Sequence, residues 1–215
     1  MSTFILNNKV ARFHLQQNVR YELRDKFGNI KKLFVENKLG AKILEFIRSF
    51  VSNPIDSDGQ VKPGLMNYLA AYGLRIPFIT GVWSDSRLIS NLVVSAGAAG
   101  VASRINGAGS EAAFTYIAVG TGTTAAAAGN TTLESEIVDS GLVRAAATAS
   151  RVTTDVTNDT AQLLYTFSVT GTKAVTESGV LNAASAGTLL ARQVFSVVNV
   201  VNGDSFQVTW KFDVD

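Results

Sequence analysis

The stretch Ser205-Phe206-Gln207-Val208-Thr209-Trp210-Lys211-Phe212-Asp213-Val214-Asp215 alternates polar and apolar side chains without a break. Successive side chains of a strand point to opposite faces, so Phe206, Val208, Trp210, Phe212 and Val214 share one face of a half-buried strand. Just upstream, Asn202-Gly203-Asp204 has turn chemistry and separates this strand from a second apolar run, Leu189 to Val200, which predicts a hairpin. Leu163, Tyr165, Phe167 and Val169 alternate in the same way, Ala145 to Thr153 less clearly, and Phe114 to Val119 marks a further strand. Strands linked by Gly, Asn, Asp and Thr rather than by helices predict an antiparallel β-sandwich or barrel-like domain over residues 114–215.

Towards the N-terminus the pattern changes. Ala11 to Leu23 has period two, Asp25-Lys26-Phe27-Gly28-Asn29 supplies a turn, and Ile30 to Val35 is expected to return as the second arm of a hairpin. Ile43, Leu44, Ile47, Phe50 and Val51 recur at helical spacing, and Asn53-Pro54 ends that amphipathic helix. Residues 1–53 therefore read as a β-hairpin plus helix that dock onto something else. Residues 54–113 read as a connecting region: a Pro/Gly/Asp loop from Pro54 to Gly64, a short helix from Leu65 to Tyr72 closed by Gly73, and an extended run from Ile76 to Val82. From Ser95 to Gly129 the chain is rich in Ala and Gly, whose small side chains bury little area, so it is expected to lie against the domain or a neighbouring subunit. The fold class is mainly β with a helical N-terminal portion, α+β.

Composition narrows the function classes. The chain has 215 residues, 47% apolar and 17% charged, too hydrophobic for a disordered protein. Nineteen Lys and Arg against 17 Asp and Glu leave no field favouring nucleic acid. Without cysteine there is no disulfide, thiolate or cysteine metal site. Met1 to Lys9 lacks the pattern of a secretory signal, and the charge-free stretch Leu88 to Ser103 is too short and glycine-broken to span a membrane. A soluble protein is expected.

Motifs with possible chemistry are few. Gly120-Thr121-Gly122-Thr123-Thr124 offers backbone N–H groups to an anion, but the Gly-Lys-Ser/Thr that completes a phosphate loop is missing. Asp56-Ser57-Asp58-Gly59 opens like a calcium loop and lacks the closing Glu. His14 is the single histidine, with no partner for zinc or a triad evident. Asn130-Thr131-Thr132 and Asn158-Asp159-Thr160 match a glycosylation sequon that has no use without a signal. Trp83 and Trp210 have the face to stack on a sugar, although alternation assigns Trp210 to the core. No catalytic, cofactor or metal residues are assigned, and an enzyme is not expected.

Five motifs occur in order: Val119-Gly120-Thr121-Gly122-Thr123-Thr124, Thr132-Leu133-Glu134-Ser135-Glu136-Ile137, Val175-Thr176-Glu177-Ser178-Gly179-Val180-Leu181-Asn182-Ala183, Leu189-Leu190-Ala191-Arg192-Gln193-Val194-Phe195 and Gly203-Asp204-Ser205-Phe206-Gln207-Val208-Thr209-Trp210. The series resembles a β-domain of tailed-bacteriophage structural proteins assigned to tail, baseplate, collar or fibre, and covers about residues 114–215. What the resemblance implies is a virion component assembled in the host bacterial cytoplasm. It would form a homo-oligomeric tail, baseplate or neck element and dock adjoining phage proteins, with no nucleic acid, membrane or small-molecule substrate. A receptor- or glycan-binding fibre tip or a capsid decoration protein is the alternative, and a particle-associated hydrolase a third reading. Within the matched region Glu177 and Arg192 stand among small and apolar residues. Unpaired buried charge is costly, so the two are expected to meet or to be satisfied across a subunit boundary, the plain alternative being two separate solvated side chains.

Overall fold

The computed structural model describes residues 15–51, 53–56, 58–90 and 92–214; His14 and the start of the strand reading at Ala11 lie outside them. The protein is mainly β, with open antiparallel sheets and, among the described residues, three short helices.

The decisive C-terminal strand is β12 (Ser205–Val214), with Phe206, Val208, Trp210 and Phe212 buried and Val214 partly exposed at its end. It lies between β9 (Thr160–Ser168) and β1 (Leu15–Arg24), in a five-stranded sheet completed by β4 (Arg87–Ser90) beyond β1 and β8 (Thr148–Val152) beyond β9. Pairing sets Val19 opposite Trp210, Tyr21 opposite Val208 and Leu23 opposite Phe206, so the apolar faces of β1 and β12 coincide. The other face of this sheet carries Arg20, Thr209 and Lys211, the arrangement that produces alternation.

A second five-stranded sheet runs β5 (Leu92–Val93), β11 (Leu189–Val200), β10 (Lys173–Leu181), β6 (Tyr116–Gly120), β7 (Ala145–Ala146). Both sheets contribute to one core cluster, in which Val119, Val180 and Val198 meet Tyr21, Phe206 and Trp210. This sheet is also covered elsewhere. Helix α3 (Ser95–Asn106) lies on β11 beside the cluster of Val94, Leu181 and Leu189, while Ile55, Ala174, Val197 and Ala71 of α2 (Leu65–Tyr72) form another. A small third sheet pairs β2 (Leu33–Glu36) with β3 (Gly81–Ser84), next to α1 (Lys38–Arg48). Asn37 caps α1 by accepting the Gly40 N–H at 2.9 Å, and its amide donates to Ile79.

Several expectations are corrected. The turn at 25–29 forms, with Asp25 accepting the Phe27 and Asn29 N–H groups, but β1 does not form the expected hairpin with Ile30 to Val35. A single bridge joins Arg24 to Ile30 before Lys31 leaves to meet Asp204 at 2.7 Å, because β1 matches its aromatic face to β12 instead. This pairing places a strand from 1–53 inside the sheet of the C-terminal domain. Asn202-Gly203-Asp204 is no hairpin turn either: β11 and β12 belong to different sheets, and the segment carries the chain between them. The Gly203 N–H donates to Val169 O there, and the Asp204 carboxylate accepts the Val201 N–H. The Pro54 to Gly64 loop is docked: Ile55 is buried and the Ala174 N–H donates to Gly59 O at 2.8 Å. Ile76 to Val82 is interrupted by a turn over 78–80, where the Thr80 hydroxyl accepts the Ile76 N–H and donates to Leu74 O, before Gly81 and Val82 enter β3. The helix Leu65–Tyr72 ends at Gly73, φ +71°, as expected.

Candidate functional site: a buried charge hub beside a cleft

The chain from Thr121 to Arg144 has almost no regular structure, and a loop of this length needs pins. Its main pin is Glu177 of β10, opposite Gly120 in the β6–β10 pairing. Glu177 is fully buried; Oε1 accepts the N–H groups of Gly122 at 3.0 Å and Ser135 at 2.7 Å, while Oε2 accepts those of Glu134 at 3.1 Å and Arg192 Nε at 2.8 Å. Arg192 of β11, equally buried, continues to Asn130 Oδ1 at 3.1 Å and Glu134 Oε2 at 3.2 Å. The structure thus brings Glu177 and Arg192 together within one chain.

The glycine motif follows from this carboxylate. A Cβ on Gly122 would sit 2.5 Å from Glu177 Oε1, and one on Gly120 would collide with the same atom. The anion cradled by Gly120-Thr121-Gly122 is therefore Glu177 itself. Partial burial pushes the Glu134 carboxyl up, but the Thr124 N–H and hydroxyl, together with Arg192, outweigh it and hold the group below its ordinary value.

A second cluster went unnoticed in the sequence. Between the pairs Val175–Val198 and Glu177–Val194 the β10–β11 ladder shifts, so Phe195, Ser196 and Val197 face one residue, Thr176. Their carbonyls are taken by three arginines: Arg48 reaches Phe195 O at 3.4 Å, Arg87 Ser196 O at 2.6 Å and Arg75 Val197 O at 3.2 Å. Burial lowers all three guanidinium groups, Arg48 to about 10, with Glu36 opposing the shift. They splice α1, β4 and the end of α2 onto the bulge. Of the three only Arg75 stands in an otherwise apolar segment, and that signal does not name its partner.

Between the two clusters lies a cleft of about 1130 Å³, bounded by Glu36, Leu44, Arg48, Thr124, Glu134 and Phe195. Its arginines Arg48 and Arg87 donate to main-chain carbonyls, and the carboxylates Glu36 and Glu134 on the same lining offset their charge. Of the remaining candidates, Trp210 is in the core and its indole donates to Ser178 Oγ at 3.2 Å. Trp83 is half exposed on β3, edge-on to Phe34. Asp56 closes its own turn by accepting the Asp58 and Gln60 N–H groups, and Asp159 does the same for Thr154, Asp155 and Val156. Among the described residues no three His, Cys, Asp or Glu gather as metal ligands, and no helix is long and apolar enough to cross a membrane.

The Ala/Gly-rich stretch serves contacts within the chain. A Cβ on Gly97 of α3 would lie 2.6 Å from Leu190 Cα, and one on Gly100 would lie 2.6 Å from the Phe114 ring. The large exposed apolar side chains concentrate elsewhere, between Leu39 and Trp83. Comparison with protein-family models, curated proteins and solved structures finds no match.

Proposed function

We propose that this protein is a non-enzymatic building block of a tailed-phage particle, a homo-oligomeric tail, baseplate or neck element that docks neighbouring particle proteins. The two large sheets act in this reading as a rigid β-sandwich, and the helices α1 and α2 as its docking portion. The observation that carries it is the distribution of exposed apolar groups. Phe46, Leu65 and Tyr68 on these helices, and Phe50 and Phe78 on the segments that follow them, stand in solvent, whereas the β-domain aromatics Phe167, Phe195, Phe206 and Trp210 are buried. Contiguous exposed apolar surface marks an interaction face. The ordered motifs add the phage context, and four of the five meet at the Glu177 hub, Leu189 to Phe195 through Arg192.

The test is to locate the chain in reconstructions of purified particles and to delete its gene. Stoichiometric density at the tail, baseplate or neck, with incomplete particles on deletion, is the expected result. Complete, infectious particles lacking the protein would overturn the proposal. The exposed aromatics Tyr68, Phe78 and Trp83 also favour a second reading, a receptor- or glycan-binding tip. Saturable binding to a glycan array, lost on Trp83→Ala, would establish that alternative.

A further inference from the structure

We propose that the uncharged apolar belt from Gly64 to Trp83 is the surface through which one copy of this chain binds another. This rests on the assembly reading and names the partner of its docking portion.

Between Gly64 and Trp83 the sequence holds one charged residue, Arg75. The fold turns it inward: Nε donates to Tyr72 O at 2.8 Å, and the guanidinium lies over the rings of Phe34, Tyr72 and Trp83. What remains outward is uncharged and, apart from Asn67, mainly apolar, with Leu65, Tyr68, Ile76, Phe78, Ile79 and Trp83 exposed. Together these six side chains expose on the order of 800 Å², the area each partner buries in an interface of standard size.

The belt carries a preformed anchor. Phe78 is 90% exposed and has a φ of +66°, a strained conformation for a bulky residue that persists only where neighbours over-determine it. Here they do. Phe78 N–H donates to Gly81 O at 2.8 Å, Asn37 holds Ile79 O, and buried Thr80 ties the turn to Leu74 and Ile76. A rigid aromatic on a fixed turn has the properties of an interface hot spot.

Charge selects the occupant. A partner presenting charged groups to this belt would bury them unpaired, and contacts between identical subunits are the more apolar, charge-depleted class. Elsewhere among the described residues, large exposed apolar side chains such as Phe27, Ile105 and Val138 each adjoin a charged residue, Lys26, Arg104 and Asp139. The surface that matches the belt is the belt on a second copy.

Sedimentation of the purified full chain over a dilution series tests this, with Phe78→Asp and the control Phe27→Asp. The wild type is expected to form a discrete oligomer. Phe78→Asp should raise its dissociation constant about 30-fold or more with an unchanged far-ultraviolet spectrum, and Phe27→Asp should not. Hydrogen exchange of the wild type, independent of any variant, should quicken in residues 64–83 on dilution and stay constant in β8. An oligomer insensitive to Phe78→Asp, with exchange in 64–83 unaffected by dilution, would overturn the proposal and leave homo-oligomeric assembly standing. A wild-type chain monomeric at high concentration would also overturn it. Incorporation of such a monomer into particles would show that the wider assembly reading survives.

Discussion

Glu177 is a carboxylate around which the neighbouring backbone is arranged: two glycines make room for it, three main-chain N–H groups point at it, and Arg192 neutralises it. Breaking a buried pair by removing one partner costs about 3–5 kcal/mol, because the other charge is left uncompensated. Glu177→Gln is expected to lose stability in that range by urea unfolding, and a loss under about 1 kcal/mol would show that solvent replaces the hub. Glu134 makes a pH-dependent contribution. Its carboxyl is held below the ordinary value in the folded state, so its stabilisation is complete above the usual carboxylate range and disappears as pH falls through and below it. The melting-temperature difference between wild type and Glu134→Gln should therefore shrink between about pH 7 and about pH 3. At this scale the Glu177–Arg192 contact was one of the readings that the sequence left open, beside partners across a subunit boundary and two separate solvated side chains. Arg48, Arg75 and Arg87 were not legible as a cluster, because their acceptors are carbonyls at a bulge, which leaves no mark on the side-chain pattern.

Strands declare themselves when one face is wet. The alternation of β12 states both its conformation and its buried face, whereas β10 is buried at all but its first position and its mixture of small, polar and apolar residues shows no alternation. Partner choice is less visible than strand identity. Both expected hairpins placed sequence neighbours side by side, while the chain instead matched the aromatic face of β1 to β12 and sent β11 to the other sheet. Helix α3 was hidden for another reason: its buried positions are Gly97 and Gly100, and with only Ala96 and Val101 packing beside them the side facing the domain is too small to stand out as an apolar stripe. Gly97→Val should force the helix away from the Leu190 main chain, and overpacking of this kind costs about 1–3 kcal/mol. Thermal unfolding checks it against Ala98→Val, an exposed neighbour where a change within about 0.5 kcal/mol is expected. Equal effects from the two would mean that close approach does not govern the position.

At the scale of the molecule, the first and last described strands are ladder partners over ten residue pairs, Leu15–Val214 to Arg24–Ser205. The β-domain therefore needs the N-terminal strand, and a fragment covering residues 114–215 would lose Val19, Tyr21 and Leu23 from its core. Such a fragment is expected to show no sharp cooperative unfolding transition, while the intact chain unfolds in one. A sharp melt for the isolated fragment would show that β12 tolerates an open edge. The assembly reading rests on the sequence resemblance, whereas the uncharged belt emerges only once Arg75 is seen to turn inward.

The β1–β12 ladder also sets how the protein meets force. Leu15 and Val214 face each other at one end of that ladder. Tension applied between them opens the rungs in succession, as a zipper opens, and each step resists with a single pair of strands. Shearing the ladder would load all its rungs at once and meet far greater resistance. A linker fused at these two points would therefore make a compliant joint.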